Sequence, residues 1–277
     1  LVRSLRAHLL WQADCGAFGL PVGQLSPPVV FADPVERIVE VSPPTTDFAA
    51  PPAAPAERVE ARPSPRPATV EPPPVPKFDV PQTSEGRRAR LAEISSQCAS
   101  CTKCGLHESR TQAVFSRGNP DTQIMIVGEG PGADEDAQGE PFVGAAGQLL
   151  DKMISAMGYD RDDFYICNVV KCRPPKNRTP DPTEIAACMP YLHEQIALIE
   201  PKVIISMGAT ALKGLLGVQD GIIRARGKWR LYRASIPVMP TFHPAYLLRQ
   251  ETAKRDVWND LKEVLKHMGR TVPEKKR

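Results

Sequence analysis

The chain has 277 residues, 42% of them apolar and 24% charged, with a formal net charge of +3. These are ordinary globular values, and with no apolar run of 18 residues or more they exclude a membrane-spanning protein. The outlier is proline, 30 residues against roughly half that in average usage, of which 17 fall between positions 21 and 81; a stretch so poor in backbone donors cannot form helices or central strands, which excludes a uniform 277-residue domain.

In chain order, residues 1–20 read as a short N-terminal helical segment, with Leu5, Leu9 and Ala13 on one face of residues 4–15. Its apolar patch (Leu9, Leu10, Trp11) is broken by Gln12 and Asp14 and lacks the core and cleavage site of a signal peptide. The first residue is Leu rather than Met, which leaves a truncated sequence and a non-standard start as the two expectations. Residues 21–85 read as a disordered Pro/Ala-rich linker, either a spacer or, through polyproline II segments, a docking arm for a protein partner. Residues 86–270 carry the folded domain, and residues 271–277 a charged tail. Residues 1–81 hold seven Lys/Arg against nine Asp/Glu, so the remainder is net positive by five. That balance is compatible with a polyanionic partner.

Within the domain, residues 87–97 suit a helix, followed by the cysteine-rich loop CASCTKCGLHESR (98–110). QIMIVGEG (123–130), FYICNVV (164–170), KVIISMG (202–208) and IPVMPTF (236–242) are four short, continuously apolar strands. Residues 147–157 and 254–268 have apolar residues at helical spacing, and Asp181-Pro182-Thr183-Glu184 announces another helix that Pro190 could kink or divide. Continuously apolar strands separated by helices predict an α/β fold: a three-layer α/β/α sandwich around a central, mainly parallel four-stranded sheet. Ligands of such folds bind beyond the carboxyl ends of the strands. GEGPG, Asn168 and His243 all sit at such ends.

The seven cysteines are an odd number without a secretion signal, which argues against a disulfide framework and for thiolates holding a metal in a reducing cytoplasm. Cys98, Cys101 and Cys104 repeat every third residue, and Cys172 and Cys188 lie further on. Four thiolates can hold an iron–sulfur cluster or a structural zinc, and spacing alone does not separate the two. Cys167, inside an apolar strand, reads as core; Cys15 is remote and has no assigned role.

GEGPG (128–132), GEPFVGAAGQLL (139–150), CNVVKCRPPKNRTP (167–180) and FHPAYLLR (242–249) resemble the motifs of the family 4 uracil-DNA glycosylases, in order and spacing, over about residues 88–268. The resemblance implies excision of uracil from single- or double-stranded DNA, leaving an abasic site, by a monomer carrying a [4Fe–4S] cluster on Cys101, Cys104, Cys172 and Cys188. Cys98 is then surplus, or a substitute for Cys101. It implies that Phe142 stacks on the flipped base and that Asn168 reads its edge. The backbone of Gly128, Glu129 and Gly130 would bind O2 and help position water, Asn177 would line the pocket, and His243 would donate a hydrogen bond to the departing base. Because the third motif residue is Gly130, the water-handling group falls to Glu129, with Glu135 and Asn177 as alternatives. On the DNA side, Tyr246, Leu247 or Leu248 would fill the hole left by the base, and Arg249 would contact phosphate. Lys171, Arg173, Lys176 and Arg178 would grip the strand.

Two rival readings are a relative that bonds covalently to the excised site and a non-catalytic iron–sulfur DNA-binding module. The former carries a histidine-containing insertion after the second strand and a Gln in the first motif; here those stretches are KCRPPKNRTP and GEGPG.

Overall fold

The parallel strands form where the sequence is apolar without interruption, because each is covered on both faces. The computed structural model describes residues 78–273. The expected N-terminal helical segment, the linker before residue 78 and the last four residues of the tail lie outside the described residues.

Helix α1 (Ser84–Ala99) begins before the expected Arg87, because the Thr83 hydroxyl caps it by accepting from Gly86 N at 3.1 Å. Strand β1 (Arg117–Gly118) leads to β2 (Ile124–Gly128), α2 (Ala133–Gln138) and α3 (Ala145–Ala156). Next come β3 (Tyr165–Asn168), α4 (Pro182–Ile199), β4 (Val203–Met207) and α5 (Ala209–Leu216). The chain continues through α6 (Ile222–Ala225), β5 (Arg230–Tyr232), β6 (Ile236–Thr241), α7 (Pro244–Leu247) and α8 (Lys254–His267). Helix α4 starts as its sequence predicts: Asp181 is the N-cap, Pro182 the first residue, and Glu184 accepts from Asp181 N at 2.7 Å. Pro190 lies within it without dividing it.

The sheet has six strands, not the expected four, in the order β1-β3-β2-β4-β6-β5. The four anticipated strands form its parallel centre. The two additions are antiparallel edges of two and three residues. Neither is long enough to show a period in the sequence, and each is held by pairing with an apolar neighbour.

Successive strand residues point to opposite faces, and this alternation builds two cores. Ile124, Ile126, Ile166, Val203 and Ile205 pack with α3 and α8 through Leu150, Met153, Val257 and Leu261. Met125, Val127, Cys167, Ile204 and Val238 pack on the other face with α1, α4 and α5 through Ile94, Leu192, Ile196 and Leu215. This is the expected three-layer arrangement. No helix among the described residues is long and apolar enough to cross a membrane. Because the central strands are parallel, Gly128, Asn168, Met207 and Thr241 all end at one rim of the sheet.

Candidate functional site

At that rim the chain brings together residues from four strand ends. The first motif continues the parallel pairing past the end of β2: Val169 N donates to Gly128 O at 3.0 Å and Val170 N to Glu129 O at 3.1 Å. Glu129 is therefore carried beside Asn168, with Gly128 and Asn168 in register. A side chain at 128 would displace the cleft residues, since a Cβ there would lie 2.4 Å from Asn168 Oδ1 and 2.6 Å from Phe142 Cζ. Asn168 is only 2% exposed. Its Oδ1 is buried with no hydrogen-bond partner. Buried acceptors are seldom left unpaired in native proteins.

Phe142 approaches from the loop between α2 and α3 in a left-handed conformation, φ 57°, which is uncommon for a bulky residue. Arg161 clamps it there. Its Nη2 donates to Pro141 O at 2.9 Å and Phe142 O at 2.6 Å, while Nη1 grips Asp151. Gly147 makes the packing possible, because a Cβ there would lie 1.8 Å from Phe142 O. The Glu135 carboxylate accepts from Gly132 N at 3.1 Å and from Val143 N and Gly144 N at 2.9 Å each. It thus ties the GEGPG loop to the Phe142 loop. With three backbone donors on its two oxygens, Glu135 is spent as a staple rather than left to handle water.

His243 is the N-cap of α7 and stacks on Phe142, ring centroids 5.4 Å apart at 27°. Ala245 N lies 3.2 Å from its Nδ1, which must accept. The ring proton is thereby assigned to Nε2. Desolvation lowers the pKa of His243 to about 4, helped by Arg249 and opposed by Glu135. The imidazole is neutral near pH 7 and offers one N–H donor.

Glu129, Gly130, Phe142, Asn168, Asn177 and His243 line one cleft of about 410 Å³, within the range typical of small-ligand sites. Gly128 lies beneath it. Glu129 accepts from the Thr210 hydroxyl at 2.5 Å. The Asn177 side chain accepts from Arg173 Nε at 2.8 Å. Tyr246 and Arg249 line the mouth.

Two expected DNA contacts are corrected. Leu247 is 0% exposed and belongs to the core under α7, whereas Leu248 is 49% and Tyr246 36% exposed. Lys171 is also 0% exposed. Its Nζ donates to Asn168 O at 2.7 Å and Gln195 Oε1 at 2.6 Å, and it lies over the Phe115 ring. A lysine so enclosed cannot reach a phosphate. Arg178 is exposed but is paired with Glu184 at 2.6 Å. The residues missed by sequence reasoning are Arg161 and Thr210, which belong to no motif, and the stapling use of Glu135.

A second, smaller cavity is lined by Cys98, Cys101, Cys104, Cys172 and Cys188. The six described cysteines, Cys167 included, are free thiols. Burial raises the pKa of Cys98 to about 11 and of Cys188 to about 12. Any metal must therefore displace protons. Donors are already aimed at two of the sulfurs. Arg110 Nη1 lies 3.1 Å from Cys172 Sγ, and Lys171 N lies 3.3 Å from Cys188 Sγ. Among the described residues no three His, Cys, Asp or Glu side chains are grouped to hold a single metal ion. Thiols lining one cavity, with N–H donors to two of the sulfurs, form a donor set that could hold a zinc ion or an iron–sulfur cluster once deprotonated.

Comparison with known proteins shows the family. The model of the uracil DNA glycosylase superfamily matches residues 115–262. The chain is 48% identical over 180 residues to a type-4 uracil-DNA glycosylase of Thermotoga maritima, covering 64% of this chain and 94% of that protein. It is 43% identical to one of Sulfurisphaera tokodaii, over 63% of this chain and 83% of the relative. A third, of Archaeoglobus fulgidus, is 40% identical over 66% of this chain and 96% of its own length.

Proposed function

We propose that this chain, which belongs to the type-4 uracil-DNA glycosylases of the uracil DNA glycosylase superfamily, excises uracil from DNA in base-excision repair. It hydrolyses the N-glycosidic bond, releasing uracil and leaving an abasic site. The observation that carries the site assignment is the buried, unpartnered Oδ1 of Asn168 in a cleft walled by Phe142 and His243. Uracil presents N3–H as donor and O4 as acceptor. Asn168 meets them with Oδ1 and Nδ2, whereas cytosine offers the opposite pattern.

In this reading the extruded base stacks on Phe142, and water attacks the sugar C1′. The N1–C1′ bonding pair leaves with uracil, and the charge spreads onto O2. His243 Nε2–H donates to that oxygen. A neutral donor preplaced where charge develops lowers the barrier as an oxyanion hole does, assisted by the backbone around Gly128, Glu129 and Gly130. Glu129 orients the water and faces the positive charge growing on the sugar. Asn177 closes the pocket, Tyr246 and Leu248 replace the base in the stack, and Arg249 holds phosphate.

Cys101, Cys104, Cys172 and Cys188 would hold a [4Fe–4S] cluster. It would act as a structural brace between the loop after α1, the segment after β3 and α4, with no part in bond cleavage. The protein would work as a cytoplasmic monomer, and the Pro-rich N-terminal segment is the place for a protein partner.

Purified protein with its cluster, incubated with a uracil-containing oligonucleotide and then with alkali, is expected to give strand breaks at uracil alone. His243→Ala and Asn168→Ala are expected to lose breakage while keeping DNA binding. Binding without breakage by the unaltered protein would instead mean a non-catalytic module.

A further inference from the structure

We propose that Thr210 is the positioning residue for Glu129, a role that rests on the reading of Glu129 given above. Thr210 is the second residue of α5 and is buried. Its Oγ1 lies 2.5 Å from Glu129 Oε2, across 81 residues of sequence. A carboxylate only accepts, so the single hydroxyl proton of Thr210 is committed to that bond. No other hydrogen bond or ion pair to the Glu129 carboxylate is present among the described residues. Holding Oε2 restrains rotation of the carboxylate and leaves Oε1 as the oxygen available to the cleft, where an attacking water must be met.

The turn that carries Thr210 is itself anchored to the site. Gly208 N donates to Thr241 O at 2.9 Å, two residues before His243. Gly208 also takes φ 93°, and a Cβ there would lie 3.4 Å from His243 Cβ. One turn, between β4 and α5, thus holds the carboxylate through Thr210 and runs beside the Cβ of His243 at Gly208. The two groups proposed to flank the glycosidic bond share one support. Preorganisation of this kind raises the rate of the chemical step without changing ground-state affinity.

The test is a set of single-turnover excision rates for the cluster-containing full chain and its Thr210→Val, Thr210→Ala, Thr210→Ser, Glu129→Ala and Thr210→Val/Glu129→Ala variants. Each is accompanied by a melting curve and by equilibrium binding to DNA carrying non-hydrolysable 2′-fluoro-2′-deoxyuridine. Thr210→Val and Thr210→Ala are expected to slow the chemical step roughly tenfold to a hundredfold, the value of one hydrogen bond to a charged group. Binding is expected to be unchanged, melting to fall by no more than the several degrees that one lost hydrogen bond costs, and Thr210→Ser to recover most of the rate. The double variant is expected to be no slower than Glu129→Ala alone. Full activity in Thr210→Val and Thr210→Ala beside an impaired Glu129→Ala would overturn the inference, as would multiplicative losses in the double variant. A Glu129→Ala protein as fast as the unaltered chain would overturn it together with the Glu129 assignment, and an unaltered chain that releases no uracil would remove the functional reading itself.

Discussion

Replacing Asn168 by leucine separates a ligand-reading asparagine from a structural one. Asn168 Oδ1 is buried without a partner, and an orphaned buried acceptor costs about 1–3 kcal/mol. Leucine is apolar and of similar size, so it removes that cost and adds a packing mismatch of about 1 kcal/mol. The net effect on folding is then about 0 to 2 kcal/mol in favour of the variant. At about 2–4 °C per kcal/mol for a domain of this size, the melting temperature stays level or rises by several degrees. Catalysis moves the other way. Two hydrogen bonds to uracil disappear, about 1–1.5 kcal/mol each, which lowers kcat/KM roughly 30- to 150-fold. Melting followed by circular dichroism and excision from a uracil oligonucleotide under single-turnover conditions measure both effects on one preparation. A variant that loses more than about 1 kcal/mol of stability while excising uracil within about threefold of the parent would refute the reasoning, because Asn168 would then be a structural residue.

Neighbouring leucines should part company. Leu247→Ala empties a core site and is expected to cost about 2–5 kcal/mol of stability, whereas Leu248→Ala should melt within about 0.5 kcal/mol of the parent and lose excision from duplex DNA; thermal melts and duplex cleavage check both. Stability should fall on acidification from about pH 6.5 to 4. The unfolded chain protonates its imidazoles near 6.5, while burial holds those of His193 and His243 down to about 4, so unfolding takes up protons in that window. His243 contributes at most about 3 kcal/mol and the half-buried His193 less; Asp260, raised to about 6 by burial, opposes them over the same range. His193→Gln is expected to flatten this slope in denaturant titrations at several pH values. Arg161→Gln releases the carbonyl of Phe142 and should reduce excision at least tenfold with DNA binding retained, measured as kcat at saturating DNA. Cys172→Ala is expected to give protein without iron, by metal analysis, and a lower melting temperature.

The parallel centre of the fold was legible because its strands are buried on both faces and so read as unbroken apolar runs. The start of α4 was legible because capping is local chemistry, confined to Asp181, Pro182 and Glu184. The edge strands were not, since pairing with a neighbour, rather than their own residues, makes Arg117–Gly118 and Arg230–Tyr232 extended. The cleft residues with motif neighbours were legible; the groups that hold them were not. Thr210 reaches Glu129 and Arg161 reaches Phe142 only after folding, and no spacing marks either. Leu247 and Leu248 are equivalent as letters. About 100° of rotation per residue in a one-turn helix sends one to the core and the other to solvent. Lys171 reads as one more member of a basic run, yet it lies three residues past the end of β3, beyond the buried Val169 and Val170, where the chain has not left the core.

The central claim is hydrolysis of one bond, and its most direct test is product stoichiometry. A single-uracil oligonucleotide is incubated with the cluster-containing protein, and free uracil and abasic sites are quantified together by mass spectrometry. Equal amounts of the two, exceeding the protein over many turnovers, with matched thymine and cytosine oligonucleotides untouched, are predicted. An unaltered oligonucleotide, or a protein–DNA adduct that stops at one equivalent, would contradict the account.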